Sequence, residues 1–273
     1  MEKEIRRITS RNNEFIKDIA KLDDKKYRTE TGKFAFEGYK LFKEALKHCV
    51  PLEAVILTIK AGQDTRIKKL LPLLNSECEL IEVSDEVYNK ISYEKSPEGV
   101  FCVSKALDKL HNLYIIYNGS NSERKIIVLD GIRDPGNLGT ILRTASAFGI
   151  DNVILSDDCA DIYNSKTLRS SMGAIFRIRT SRVKKLPDTI KMLRSSGYRI
   201  YGAALDEVSV PLTEITIKDR TAFIIGNEAS GISKDVAEAA DGKIIIPMEN
   251  GTESLNAASA ATIIMWEMYR VIK

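Results

Sequence analysis

Five polar side chains could do chemistry together: Asn137, Arg143, Glu228, Ser254 and Asn256. They belong to three stretches, Gly136 to Gly139, Gly226 to Gly231 and Gly251 to Asn256, each glycine-containing and each following an apolar run. Such a set can bind, orient and stabilise charge, and Glu228 is its one obvious proton acceptor. Other chemistries fail on particular residues. Gly226 to Ser233 has the G-x-x-x-x-G-x-S spacing of a phosphate loop, but Ile232 stands where a lysine must reach the β- and γ-phosphates. Gly136-Asn137-Leu138-Gly139 lacks the G-x-G-x-x-G that brings backbone against a pyrophosphate. There is no G-x-S-x-G elbow, and the two histidines, His48 and His111, lie outside the glycine-rich half, so a Ser-His-Asp triad has no base. The four cysteines, Cys49, Cys78, Cys102 and Cys159, are not closely paired, which argues against a zinc site or a disulfide framework and fits a reducing cytoplasm. No metal is expected.

The elements that must position these residues can be read from periodicity. Ile126 to Leu129 reads as a short buried strand, and Asp130-Gly131 and Asp134-Pro135-Gly136 then break the backbone. Ile141, Leu142, Ala145 and Phe148 recur at helical spacing, with Gly149 at the helix C-terminus. Asn137 is thereby left in the loop or first turn, and Arg143 projects from the second turn away from the apolar stripe. Strands are expected at Asn152 to Leu155, Arg199 to Ala204, Thr221 to Ile225 and Lys243 to Met248, and a long helix from Ser254 to the C-terminus. Ligands dock at strand ends of open α/β sheets, so the three glycine-containing stretches should converge.

The upstream half alternates strands and helices and reads as a small α/β domain over residues 1–106, followed by a linker at 107–123 and a second domain at 124–273. Ser10 is expected to cap a helix containing Phe15, Ile16, Ile19 and Leu22, Asp23 to Gly32 to be a charged connector, and Arg66 to Leu74 to be helical. Cys49 and Cys102 read as core. Net charge is +3, yet residues 1–48 hold 13 Lys or Arg against 9 Asp or Glu. Lys25, Lys26, Tyr27, Arg28 and Lys33 place positive charge beside an aromatic ring, a combination suited to phosphates and an unstacked base. No apolar signal region follows the start and no stretch approaches a membrane span, so a cytoplasmic protein is expected.

At the level of motifs, Asp134-Pro135-Gly136-Asn137-Leu138-Gly139 with Arg143, then Ile225 to Gly231, then Ile246-Pro247-Met248 with Glu253-Ser254-Leu255-Asn256 resemble the three ordered motifs of the SpoU (TrmH-type) RNA ribose 2′-O-methyltransferases of the SPOUT superfamily. The first half resembles their L30e-like substrate-binding domain through Phe36-Glu37-Gly38 and Ser96-Pro97-Glu98-Gly99-Val100. The resemblance implies a parallel sheet whose C-terminal segment is threaded into a trefoil knot. It implies S-adenosylmethionine held mostly by backbone near Ala204, Gly226, Ile246, Met248 and Leu255. The reaction implied is methylation of a ribose 2′-hydroxyl in structured RNA, ribosomal RNA first, with transfer RNA or a catalytically silent RNA-binding protein as alternatives. Arg143 would contact the neighbouring phosphate and stabilise developing alkoxide, because a guanidinium gives up its proton only at high cost; proton acceptance by guanidine, phosphate or water is left open. Asn137 would fix the loop or substrate, Glu228 would orient Arg143 or the loop around it, Ser254 would hold phosphate at a helix N-terminus, and Asn256 would lock the loop or touch substrate. A homodimer through the C-terminal helix, with Met265, Trp266 and Tyr269, is also implied.

Overall fold

Strands and helices alternate along the chain in a computed structural model that describes residues 4–107, 125–218, 220–249 and 254–272. The described residues divide into two units: one runs to Leu107 and includes Tyr163–Phe176, and the other comprises the rest of the second half. Tyr163–Phe176, which sequence order assigns to the second domain, groups with the first unit because its aromatic rings pack there. Tyr163 stacks on Phe34 at 4.4 Å between centroids, and Phe176 meets Phe36 at 5.2 Å. Of the expected linker, only Leu107 lies among the described residues. No helix among those residues is long and apolar enough to cross a membrane.

The first unit is built on five strands: β1 (Ile5–Ile8), β2 (Lys33–Glu37), β3 (Leu52–Thr58), β4 (Glu79–Val83) and β5 (Val100–Lys105), in the order β1-β4-β3-β5-β2. β1, β4 and β3 run parallel, while β5 is antiparallel to both of its neighbours. Ile16, Ile19, Val87 and Tyr88 cover one face over Ile56, Ile81 and Phe101. β1 escapes a reading by periodicity, because its residues do not alternate; it is an edge strand whose Arg6 and Arg7 pair with Glu79 and Glu82 of β4 at 3.1 and 2.9 Å.

Several local expectations are corrected by hydrogen bonds that compete for the same backbone. Asn13, not Ser10, caps the helix Glu14–Ala20, accepting from Phe15 N at 3.0 Å. The expected connector is instead a helix, Lys25–Thr31, with the Asp24 carboxylate accepting from Tyr27 N at 2.9 Å and Gly32 closing it at φ 64°. Pro72 holds Arg66 to Leu74 to a short helix, Thr65–Lys68, and a 3₁₀ turn, Leu71–Leu73. Cys102 is core as expected, but Cys49 is exposed.

The basic group around Tyr27 also differs from its appearance in the sequence. Arg28 is buried and donates to Leu22 O and Asp23 O, each at 2.7 Å. Lys26 pairs with Glu30 at 3.9 Å and Lys33 with Glu53 at 2.7 Å.

The second unit carries seven strands: β6 (Lys125–Leu129), β7 (Asn152–Ser156), β8 (Arg179–Val183), β9 (Arg199–Ala203), β10 (Val210–Pro211), β11 (Thr221–Ile225) and β12 (Gly242–Ile245). Their order is β10-β12-β9-β11-β6-β7-β8, and every neighbouring pair is parallel. β6, β7 and β11 are Val/Ile/Leu-rich runs, as strands covered on both faces must be. β8 gives no apolar signal in its Arg, Thr and Ser residues, although Thr180 and Ser181 are buried. β12 ends at Ile245, before the expected Met248, since Pro247 has no N–H for the ladder. All the parallel strands deliver their C-terminal ends to one edge, which is where the polar residues lie.

Candidate active site at the strand ends of the second unit

The loop after β6 is held from both sides. Asp130 N donates to Ile225 O at 2.9 Å, and the buried Asp130 carboxylate accepts from Ser233 N at 2.7 Å. Gly131, at φ 69°, donates its N–H to Ser156 Oγ at 2.9 Å. Asp134 then caps the next helix, Pro135–Ala147, accepting from Asn137 N at 2.8 Å, with Pro135 at the first position where no N–H is needed. The helix starts early enough to put Asn137 in its first turn and Arg143 in its third, one turn later than expected. Leu138, Ile141, Leu142 and Ala145 are buried, and Arg143 is exposed. Among the described residues Arg143 makes no hydrogen bond or ion pair, so its guanidinium is open to a ligand.

The loop after β11 closes on itself. Asn227 N donates to Gly231 O at 3.0 Å and Gly231 N to Asn227 O at 2.9 Å, so the intervening residues form a tight crest. A Cβ on Gly226 would lie 2.2 Å from Gly231 C and 2.4 Å from Ile232 N, both backbone atoms, which is why glycine is required there. Asn227 also donates through Nδ2 to Gly131 O at 2.8 Å and accepts from Ala229 N at 2.9 Å. The β6 and β11 loops are therefore joined twice, by Asn227 to Gly131 and by Asp130 to Ser233. Sequence reasoning misses both joining side chains: Asp130 reads there only as a backbone breaker, and Asn227 carries no signal of its own between Gly226 and Glu228.

One hydrogen-bonded chain unites the three stretches. Glu228, on the crest, accepts from Asn137 Nδ2. Asn137 Oδ1 accepts from Asn256 Nδ2 at 3.1 Å, and Asn256 Oδ1 caps the C-terminal helix Ala257–Val271 by accepting from Ala258 N at 2.9 Å. The polarity of this chain is forced. A carboxylate only accepts, which fixes which end of Asn137 faces it, which in turn fixes Asn256 with its carbonyl toward the helix. Glu228 thus engages Asn137 and forms no hydrogen bond or ion pair with Arg143. The C-terminal helix begins at Ala257, not at Ser254, and Asn256 already occupies amide groups of its first turn. Ser254 accordingly sits on a cavity wall and not at an open helix N-terminus.

That cavity, about 590 Å³, lies at the ends of β9, β11 and β12. Ala204, Gly226, Ile246, Met248 and Leu255 all line it, together with Glu228 and Ser254. Its walls combine aliphatic side chains with polar ones, and its size falls within the range of small-molecule sites, about 300–1,000 Å³. Asp206 and Lys243, also on the wall, pair with each other, and the lysine holds the Asp206 carboxyl below its ordinary range. Among the described residues no group of three or more His, Cys, Asp or Glu side chains is placed to hold a metal ion.

Residues 124–266 match the family model described as SpoU rRNA Methylase family, and residues 13–102 match the MRM3-like substrate binding domain. The chain belongs to the SpoU rRNA methylase family. It is 33% identical over 264 residues to the 23S rRNA (guanosine(2553)-2'-O)-methyltransferase RlmP of Bacillus subtilis, covering 97% of this chain and 99% of that one. Among solved structures it resembles an AdoMet-bound rRNA methyltransferase from Sinorhizobium meliloti, with TM-score 0.87 and 29% identity over 98% of this chain and 99% of that one. It also resembles the SpoU methyltransferase AviRb from Streptomyces viridochromogenes in complex with AdoMet, with TM-score 0.83 and 25% identity over 95% and 98% of the two chains. The three stretches that resemble SpoU motifs in the sequence all lie within residues 124–266 and meet at the strand ends here.

The fit of this site to S-adenosylmethionine rests on its own geometry. Gly226 removes a side chain where the backbone must fold against itself, and Ile246 and Leu255 present apolar surface suited to a purine. The polar side chains of that wall are few, and of these Asp206 and Lys243 are paired with each other.

Proposed function

We propose that this protein transfers the methyl group of S-adenosylmethionine to a ribose 2′-hydroxyl of ribosomal RNA. The observation that carries the reading is the chain Asn256–Asn137–Glu228, which binds three separate motifs into one lip beside the cavity, with Arg143 on the same helix as Asn137. Its family membership, and the activities named for its relatives, support the same conclusion. S-adenosylmethionine supplies an already activated methyl group, so the protein's task is alignment and charge stabilisation. Ala204, Gly226, Ile246, Met248 and Leu255 hold it. Arg143 contacts the phosphate beside the target ribose and stabilises the negative charge that develops on the hydroxyl oxygen. Glu228, engaged with Asn137, serves to position and not as the base. Ser254, on the cavity wall, offers its hydroxyl to a ligand there, and Asn256 locks the third loop to the first.

Within this reading residues 1–106 present RNA, residues 107–123 link, and residues 124–273 catalyse. The C-terminal segment is threaded as a trefoil knot. Two observations support this: β12 lies between β9 and β10, and the following helix packs along Pro135–Ala147, where Phe148 meets Trp266 at 5.7 Å. An experimental structure tracing residues 246–257 outside the loops would remove the knot. The protein acts in the cytoplasm as a homodimer. Trp266 and Tyr269 are 50% and 39% exposed, a large aromatic surface for a single chain to leave in water. Sedimentation showing a monomer at micromolar concentration would exclude the dimer.

The test supplies labelled methyl donor with unmodified ribosomal RNA and maps 2′-O-methyl nucleotides by mass spectrometry. Transfer is expected with the intact chain, and Arg143→Ala is expected to lower kcat/KM by at least about 10²-fold while leaving donor affinity unchanged. No transfer, or full activity in Arg143→Ala, overturns the reading.

A further inference from the structure

Much of the positive charge that the sequence concentrates around Tyr27 is engaged once folded, and the hollow beside it is lined by four carboxylates, Asp18, Glu53, Glu77 and Glu79, against two lysines, Lys33 and Lys105. Such a surface repels phosphate. A different face of the same unit has the opposite character. On the helix Tyr39–Lys47, Lys40, Lys43 and Lys47 follow at i, i+3 and i+7, so they share one side; Leu41, Phe42 and Ala45 are buried on the other. All three lysines are exposed, and among the described residues none has an ion-pair partner.

At the start of this helix, Arg66 lies over the Tyr39 ring, 4.9 Å from its centroid. The nearby acids are engaged: Asp64 with Arg66 at 2.8 Å, and Glu98 with Tyr39 N at 2.7 Å. Arg66 therefore brings little uncompensated charge but sets its guanidinium over the tyrosine ring. Lys60, Lys68 and Lys69, on or next to the helices Ile59–Gln63 and Thr65–Lys68, are exposed too and unpaired among the described residues.

We propose that Lys40, Lys43 and Lys47, with the Tyr39–Arg66 cation–π pair at their head, form the RNA-docking face of the first unit. The inference rests on the RNA methyltransferase reading and names where in that unit the RNA is held. Lysines about one helical turn apart are spaced to follow successive phosphates of a strand, and a tyrosine ring with a guanidinium beside it offers π-surface to one unstacked base. Neither feature selects a sequence, so this face supplies affinity and leaves the choice of nucleotide to the second unit.

The test compares two triple variants of the full chain that lose the same net charge: K40Q/K43Q/K47Q on the proposed face, and K25Q/K26Q/K33Q on the group around Tyr27. Affinity for unmodified 23S ribosomal RNA transcript is measured by fluorescence anisotropy across a salt series, with donor affinity by calorimetry and thermal unfolding as controls. K40Q/K43Q/K47Q is expected to weaken RNA binding at least 10-fold and to reduce the log–log salt slope by about 2, at about 0.7 for each phosphate that is no longer neutralised. K25Q/K26Q/K33Q should change affinity less than 3-fold, and Y39A should weaken binding without altering the slope. Equal losses in the two triples, or a larger loss in K25Q/K26Q/K33Q, overturn the proposed face while leaving the methyl-transfer reading intact. Failure of the unaltered chain to bind the RNA overturns both, whereas RNA binding without methyl transfer overturns the enzyme reading alone.

Discussion

Replacing Asn137 by Asp changes one atom type and should disable the lip, because the hydrogen-bonded chain through it has a direction. In the native arrangement Asn137 Nδ2 donates to the Glu228 carboxylate while Oδ1 accepts from Asn256 Nδ2 at 3.1 Å. Asn137→Asp keeps the second contact and sets two carboxylates face to face in place of the first. A hydrogen bond to a charged group contributes about 1.5–3 kcal/mol. Two unit charges about 3 Å apart at a water-exposed site repel by about 1.4 kcal/mol. Together these amount to about 3–4 kcal/mol, and because Glu228 is exposed and its crest can swing aside, the lower end applies. We therefore expect kcat/KM for methyl transfer to fall by about 10²-fold, with donor affinity reduced less, since Asn137 does not line the cavity.

The decisive variant is the double substitution Asn137→Asp with Glu228→Gln. The carboxylate introduced at position 137 would then accept from the amide introduced at position 228 as well as from Asn256 Nδ2. Every atom again has a partner of the right kind, with the first link reversed. Most of the lost activity should return, and a double-mutant cycle with thermal unfolding on each protein separates this coupling from general destabilisation. If the double variant is no more active than Asn137→Asp, or if Asn137→Asp stays within threefold of the native protein, the directional argument is wrong.

Two further perturbations probe other parts of the molecule. Gly226→Ala would place a methyl group 2.2 Å from Gly231 C, where only backbone could move, so donor affinity by calorimetry should drop at least 10-fold while the first unit's RNA affinity is kept; unchanged donor affinity would show that the crest is not a cofactor wall. In the first unit, burial pushes the Glu37 carboxyl up, against hydrogen bonds from Ser92 Oγ at 2.8 Å, Tyr93 N at 2.6 Å and Tyr88 OH at 3.2 Å that pull it down. The folded state then holds the proton more tightly than the unfolded chain, so Glu37's contribution is fully present below the unfolded value and is lost as pH rises through the raised one. Glu37→Gln should flatten the fall in thermal stability as pH rises above the ordinary glutamate range, and an unchanged slope would assign that fall to other groups.

The three motif stretches are legible as strand-end loops because apolar runs, glycines and a capping Asp-Pro are local signals, and their convergence follows from the rule that parallel strands share an edge. β6, β7, β11 and the helix Leu186–Ser195 can be read from periodicity alone. β1 and β8 cannot, since an edge strand carrying Arg and Thr is held by its neighbour's ladder and not by its own apolar side chains. Charge is the least legible property. Lys40, Lys43 and Lys47 look no different in sequence from Lys25, Lys26 and Arg28, and only folding decides which meet a carboxylate or a buried carbonyl.

The sequence by itself determined the chemistry available to this protein: an arginine, two amides, a carboxylate and a hydroxyl beside glycines, with no histidine base and no phosphate-loop lysine. Tertiary structure alone decided their relations. Asn137 and Glu228 are 91 residues apart, and Asn137 and Asn256 are 119 apart. No local preference can specify that Glu228 grips Asn137 and leaves Arg143 open, because those contacts exist only once the strands have delivered three loops to the same edge.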